Sequence, residues 1–306
     1  MLVLFIFTKI NPMDISIIIV NYNSAKYTLN CIDSIYKFTI GLSFEIIVVD
    51  NNSNDILSLE NHLLKAKFKL IKSEQNLGFG GGNHLGYLEA KGRHLAFVNN
   101  DAELTENALL KLLDYSQSQP KVGCLGLKQV NEKGEHFKYS FRQFIDLNYH
   151  LFDQKKPIKY YSKLYNSDLS DPFTVDLVSG AFMFFKTEAY ESAGGFDSRI
   201  FLFYEEMDVC LRLKKKGYVT QFYPKASFIH YMGKSSSNVA LNREFIVSYL
   251  YVIKKNYSTF YYQFLRFILI TKYGIKSIFK PKKHFVKFKI ILKGGDPLRF
   301  SMNASN

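Results

Sequence analysis

The 306-residue chain has only three cysteines, Cys31, Cys124 and Cys210, far apart in the sequence and with no CxxC pair among them. An odd, scattered set builds neither a disulfide framework nor a zinc cluster, and a reducing, cytoplasmic setting fits it best. Long apolar runs are also missing. The opening "MLVLFIF" is interrupted by Lys9, and no small-residue cleavage site follows it. It is too short for a membrane span and makes a poor signal peptide. Met13 directly precedes "DISIIIVNYN", which reads as a natural first strand. Residues 1–12 are therefore expected to be an upstream extension with little role in the fold. No internal repeat or low-complexity tract occurs.

Positive charge is scarce on the body of the chain. The net charge is +13, but residues 254–306 hold twelve Lys/Arg against one acid, Asp296, so the first 253 residues carry only +2. A body this close to neutrality argues against a nucleic-acid-binding protein. The tail is a separate matter. Residues 258–280 are apolar nearly all round, broken by Arg266, Lys272 and Lys276, and "KPKKHFVKFKIILKGG" follows with six lysines. The Phe- and Ile-rich amphipathic pattern favours an anionic membrane surface as the partner of residues 258–293. A helical lid or a dimer contact is the competing reading. The longest uncharged apolar run in the tail, "FILI", is far too short to span a bilayer.

With 47% hydrophobic residues, the chain can bury a substantial core, as one large α/β domain or as a domain with an appendage. Apolar, β-branched runs alternate with helical patterns. "ISIIIV" (15–20) precedes a helix over 24–38, and "FEIIVVD" (44–50) precedes one over 55–67. "FKLIKS" (68–73), a glycine-rich turn, a short helix from Asn83 and the strand "HLAFVNND" follow. After a helix over 106–119 come strands at 122–130, 175–187 and 218–230, with a helix at 205–217 that Gly217 caps. Residues 131–173 read as a long excursion over the binding face. Strands alternating with helices predict a mostly parallel, doubly wound sheet, and continuous apolarity places helices on both of its faces.

Ligands of such sheets bind outside the carboxyl ends of the strands. Polar residues stranded there are candidates: Asn21 and Asn23 after the first strand, Asp50 after the second, and Asn99 to Asp101 after the fourth. "NLGFGGGNHLG" (76–86) offers glycines for close backbone approach, and a helix starting near Asn83 would point its amides at phosphate. As a dinucleotide fingerprint it fails, because Asn83 or Leu85 stands where the third glycine is required. That counts against the alternative function, a nicotinamide-dependent oxidoreductase.

"IIIVNYNS", "IIVVDNNSND", "NLGFGGGNHLG", "FVNNDAEL", "SGAFMFFKTEAYESAGGFDSRIFLFYEEMDVCLRLKKKGY" and "FIHYMGKSSS" occur in this order. Together they resemble the family 2 glycosyltransferases of GT-A fold, especially the rhamnosyltransferase-like branch that builds bacterial surface polysaccharides. The resemblance covers roughly residues 14–237. It implies a GT-A domain over 13–237, a Rossmann-like, mostly parallel sheet flanked by helices, followed by a helical, basic C-terminal region over 238–306.

The resemblance also assigns roles. "NND" stands where the family carries a DxD-type motif, so Asp101 matches the carboxylate that holds Mg²⁺ or Mn²⁺ against the donor diphosphate. Asn99 replaces the first aspartate and leaves one charge fewer. His230 matches a histidine that often reaches the metal. Asp50 is expected to contact the base, with Asn21, Asn23, Asn76, Gly78, Gly81, Asn83 and Asn99 lining the nucleotide pocket. "YEEMDVCLR" resembles the motif that supplies the catalytic base, with glutamate where aspartate is usual. Glu206 matches the base position and Glu205 is second, whereas Asp208 and Arg212, four apart on a helix, suit a plain ion pair. Phe201, Phe203 and Tyr204 are read as sugar-stacking or core residues.

The implied activity is inverting, metal-dependent transfer of a sugar, with rhamnose a candidate, from a dTDP- or UDP-linked donor. The acceptor would be a hydroxyl of a lipid-linked compound or polysaccharide, at the inner face of the cell membrane. The Asn99 replacement and the glutamate pair leave a non-catalytic relative as a further alternative.

Overall fold

The computed structural model describes residues 13–63, 66–137, 140–145, 147, 169–231 and 238–302. The expected extension at 1–12, the end of the last motif at 232–237 and much of the 131–173 excursion lie outside the described residues.

Five of the seven residues of β1 (Ile15–Asn21) are Ile or Val, side chains that pack well on a pleated surface. The strand forms parallel ladders with β2 (Phe44–Asp50) and β4 (His94–Asn99), and β2 pairs with β3 (Lys69–Lys72), also in parallel. Successive side chains of β1 enter different cores. Ile17 and Ile19 join one buried cluster with Val48, Ala96 and the helices α1 (Ala25–Phe38) and α4 (Ala108–Ser118). Ile18 joins the other, with Ile47, Leu95 and Phe97. Both faces are covered, as continuous apolarity predicts.

The sheet order is β3-β2-β1-β4-β10-β6-β11-β5. Here β5 is Ala102–Leu104, β6 Val122–Val130, β10 Phe182–Lys186 and β11 Val219–His230. β6 and β11 are parallel, whereas β10 runs antiparallel to both of its neighbours, and β5 is antiparallel to β11. Two expectations are corrected here. The run at 175–187 is not one strand: β8 (Phe173–Val175) pairs with β11, β9 (Leu177–Val178) pairs with β7 (Phe141–Arg142), and a turn precedes β10. The strand at 94–101 ends at Asn99, turns at Asn100 and Asp101, and returns as β5 before α4 begins. Between β2 and β4 lie α2 (Ile56–His62) and α3 (Gly78–Tyr87).

After β10 come α5 (Thr187–Ser192) and α6 (Glu205–Lys215). The C-terminal helices are α7 (Asn238–Asn256), α8 (Thr259–Phe279), α9 (Pro281–Leu292) and α10 (Pro297–Phe300). Ile246, Val247, Leu250 and Ile253 of α7 share a buried cluster with Met207 and Cys210 of α6. Polar bonds reinforce that seam. The carboxylate of Asp208, fully buried, accepts from Arg212 Nε (3.0 Å), Lys255 Nζ (2.9 Å) and Asn256 Nδ2 (2.7 Å). Asp208 is thus paired with Arg212 as the helix spacing predicts, and it also fastens α7 to the domain.

Candidate active site

Parallel register brings the stranded polar residues together. Asn21 stands opposite Asp50 across one ladder, and Val20 stands opposite Asn99 across the other. Asn21 Nδ2 donates to Asp50 Oδ1 (2.8 Å) and to Ser53 Oγ (3.0 Å), while Thr28 Oγ1 donates to Asn21 Oδ1 (2.7 Å). The Ser53 amide donates to Asp50 Oδ2 (2.9 Å), and the Asn23 amide to Ser53 Oγ (3.0 Å). Asp50 is only 1% exposed, so these bonds fix its carboxylate in one pose while leaving lone pairs for a further donor. Asn51, next to it, donates to Gly78 O (2.9 Å), and its buried Oδ1 has no partner among the described residues. That is an acceptor awaiting a donor. Motif reasoning missed Thr28, Ser53 and Asn51. Their only sequence signal is that they neighbour the strand ends, within "NYNS…T" and "DNNS".

The glycine-rich stretch corrects the sequence reading. α3 begins at Gly78, not near Asn83, and its first two amides are already used. Gly78 N donates to Asn76 Oδ1 (2.9 Å) and Phe79 N to Phe201 O (2.8 Å). Buried Asn83 donates through Nδ2 to Phe79 O (3.0 Å), inside its own helix. The glycines serve close packing. A Cβ on Gly78, whose φ is +73°, would fall 2.0 Å from Phe201 O, and one on Gly81 would fall 2.9 Å from Leu77 Cβ. The amides expected to start near Asn83 therefore lie inside α3, and the Gly78 amide already has an acceptor. Gly78 and Gly80 let α3 pack against the 197–201 segment, where a Cβ on Gly80 would fall 2.9 Å from Ile200 O.

Beyond β4, the β5–β11 pairing places His230 opposite Ala102, beside the turn that carries Asp101. His230 Nε2 lies 3.0 Å from Asp101 Oδ1 and 3.4 Å from Asn99 Nδ2, and Nδ1 lies 2.8 Å from Gln129 Nε2. Asn100 donates to Ser24 Oγ (2.5 Å) and Thr28 Oγ1 (3.1 Å), tying this turn to the Asn21 network. Among the described residues there is no cluster of three or more His, Cys, Asp or Glu that could enclose a metal on its own. A carboxylate and an imidazole in contact, both partly open to solvent, nevertheless suit a divalent cation whose other ligands come from a diphosphate and water.

The acid pair opens α6. Phe203 and Tyr204, immediately before it, have φ of 71° and 68°. Among the described residues the only other non-glycines with positive φ are Asn23 and Asn52, beside Asn21 and Asp50. Left-handed backbone in aromatic residues costs about 1–3 kcal/mol each and concentrates at working sites. Glu205 is buried, and burial, with help from Glu206 and Glu244, pushes its carboxyl well above the usual range. Its Oε1 has no hydrogen-bond partner among the described residues. Glu206 is more open and pairs with Arg142, another residue that motif reasoning missed. Phe201 and Tyr204 are buried, Tyr204 packing on Phe245 and Tyr249 of α7, which is a core role.

The family model for glycosyl transferase family 2 matches residues 16–193. The rhamnosyltransferase WbbL of Escherichia coli is 27% identical over 229 residues, covering 70% of this chain and 82% of WbbL. The N-acetylglucosaminyl-diphospho-decaprenol L-rhamnosyltransferase of Mycobacterium tuberculosis is 23% identical over 208 residues, covering 62% and 67%. An uncharacterized Sinorhizobium fredii protein, y4gI, is 24% identical over 229 residues, covering 72% of this chain but only 25% of its own length. The crystal structure of GalNAc-T7 with UDP, GalNAc and Mn²⁺ superposes with a TM-score of 0.64 at 17% identity, covering 92% of this chain and 56% of that one. Sheet order, the polar strand ends and the family match agree: the chain belongs to glycosyl transferase family 2 and has the GT-A architecture.

Proposed function

We propose that the protein transfers a sugar, with inversion at C1, from a nucleoside diphosphate to a hydroxyl of a lipid-linked or polysaccharide acceptor. The observation that best supports this is the turn at Gly180 and Ala181, which bridges the two acidic centres. Ala181 O accepts the Asn99 amide at 2.9 Å, and a Cβ at Gly180 would stand 4.0 Å from Glu206 Oε2. The Asp101–His230 edge and the base candidate are therefore neighbours. Displacement at C1 needs this, because the hydroxyl attacks on one side as the diphosphate leaves on the other.

In this reading Glu206 accepts the proton of the acceptor hydroxyl while the hydroxyl oxygen bonds to C1 and the C1–oxygen bond to the diphosphate breaks, the electron pair leaving with the diphosphate. Asp101 and His230, with Asn99 beside them, would hold Mg²⁺ or Mn²⁺, which when bound neutralises charge on the leaving diphosphate. Asn21, Asn23 and Asp50 frame the base, and the unpartnered Asn51 Oδ1 suits the N–H of a uracil or thymine ring. The names of the two rhamnosyltransferase relatives favour rhamnose as the sugar, and that of the mycobacterial one favours a lipid diphosphate acceptor.

The test is a thermal-shift panel of UDP, dTDP, GDP and NAD⁺, each with and without Mn²⁺, on the wild type and on Asp101→Asn. Stabilisation by one pyrimidine nucleoside diphosphate only with Mn²⁺, lost in Asp101→Asn, is the expected result; at a hundred times the dissociation constant it amounts to about 2.7 kcal/mol. Stabilisation by none of them, or by NAD⁺ alone, overturns the reading.

A further inference from the structure

We infer that one face of α8 is a docking surface for an anionic lipid bilayer, lying in the interface without crossing it. Phe260, Phe264, Phe267, Thr271, Ile275 and Ile278 recur at the three- and four-residue steps that align on one side of a helix. All are exposed, with Phe260 at 81%, Phe267 at 66% and Ile278 at 77%. The opposite side of the helix is already used: Tyr262, Leu265 and Leu269 are buried in the core shared with α7 and α9. A 21-residue helix is about 30 Å long, so the exposed stripe is an apolar strip interrupted by Thr271 and not a scatter of single residues. Among the described residues no helix is long and apolar enough to cross a membrane.

Charge selects the occupant. No Asp or Glu occurs between Glu244 and Asp296, whereas Lys272, Lys276, Lys280, Lys282, Lys283 and Lys287 cluster around the α8–α9 turn. The lysines crowd one another. Burial and the neighbouring Lys283 and Lys276 hold Lys287 below its ordinary range. Acidic lipid headgroups complement the cluster, and acyl chains complement the stripe.

The position also fits the chemistry. The Leu147 amide donates to Tyr261 Oη (2.7 Å), one residue after Phe260. Leu147 lies five residues after Arg142, the partner of Glu206. That length of chain spans at most about 18 Å between Cα atoms, which ties the start of the stripe to the strand carrying the partner of Glu206. On the transfer reading, this link is what would connect a membrane-embedded acceptor to Glu206. This last step rests on the transfer reading above, whereas the docking itself does not.

The experiment is vesicle flotation of the full chain with phosphatidylcholine alone and with phosphatidylcholine plus phosphatidylglycerol, alongside light scattering for mass. Association with the anionic vesicles only, weakened by salt, is expected. Each of Phe260→Ser, Phe267→Ser and Ile278→Ser should reduce binding about tenfold, and the combined Lys276→Gln, Lys280→Gln and Lys283→Gln variant should abolish the preference for anionic lipid. All six positions are exposed, so unchanged melting and an unchanged UDP response show that the fold and the nucleotide site are intact. No association with either vesicle overturns the inference, as does equal association with both or a dimer that Phe260→Ser disperses. The UDP response reads the transfer proposal separately, so either idea can fail alone.

Discussion

Arg142 and Glu206, 64 residues apart in sequence, form an ion pair that joins the short β7–β9 ladder to the first turn of α6. The guanidinium contacts Oε1, while Oε2 faces the Gly180 turn that leads to Asn99. One carboxylate oxygen is thereby held, and the other lies beside the turn whose Ala181 carbonyl accepts from the Asn99 amide.

Glu206→Gln keeps the shape and removes the proposed base. Turnover is expected to fall about 10²- to 10⁴-fold, the usual worth of a positioned general base. Stabilisation by the nucleoside diphosphate should persist, because Glu206 is separate from the Asn21–Asp50 network. Steady-state kinetics beside thermal shift decide it: equal loss of nucleotide binding would place Glu206 in the donor pocket instead.

Arg142→Ala should lower kcat by about a hundredfold if the ion pair aims the carboxylate, since small misplacements of a reacting group cost that much. Donor KM should hardly change. A variant that raises donor KM and spares kcat would show that Arg142 binds phosphate.

The buried acid Glu205 bears on stability. Burial raises its carboxyl well above the ordinary range, so the folded chain holds that proton more tightly than the unfolded chain does. Stability is then fully present below the unfolded glutamate value of about 4.3 and declines as pH rises toward the folded value, by about 1.4 kcal/mol for each pH unit between the two. Glu205→Gln should therefore melt higher than wild type at pH 8, with the advantage vanishing near pH 4. Melting curves across that range check it, and an advantage that grows on acidification would refute the buried-acid account.

Asp208 is the opposite case, a buried charge fully partnered by Arg212, Lys255 and Asn256. Asp208→Ala removes the carboxylate shared by Arg212, Lys255 and Asn256 at the α6–α7 seam, while Lys255 keeps Asp197, and should cost about 3 kcal/mol. Chemical denaturation measures the loss, and limited proteolysis should find the α7 end more readily cleaved than in wild type.

The strand ends were legible because continuous apolar runs stop abruptly on Asn or Asp, and parallel register aligns those stops without further information. The Asp208–Arg212 pair was legible from its four-residue spacing. Arg142 was not, since it lies in a weakly periodic stretch and meets Glu206 only through a two-residue ladder. Gln129 and Asn51 look like ordinary strand and turn residues until neighbours surround them. The run at 175–187 misled because its apolarity persists through a turn: Val178 is buried against Gly126, and Phe182 starts a new strand on the other side. Local pattern gives burial, but it does not say which partner does the burying.

The glycines of α3 can be tested directly, because two functions for them predict different losses. A phosphate cradle would make them matter to donor affinity. The structure instead sets their backbone against the sheet: a Cβ on Gly86 would stand 2.5 Å from Ile18 Cγ2 and 3.1 Å from Val49 Cγ2, and one on Gly82 would stand 2.9 Å from Val20 Cγ1. Alanine is the better helix former by about 1 kcal/mol, so in open space either substitution would stabilise the helix. Overpacking costs about 1–3 kcal/mol and opposes that gain. Gly86→Ala, with the closer contact, should lower the melting temperature while leaving the UDP dissociation constant within about twofold, which is well under 1 kcal/mol. Gly82→Ala should destabilise less, since its contacts are the ends of a valine and of Asn51. If Gly86→Ala instead melts like wild type and binds UDP poorly, α3 meets the nucleotide directly and the packing role assigned to its glycines is wrong.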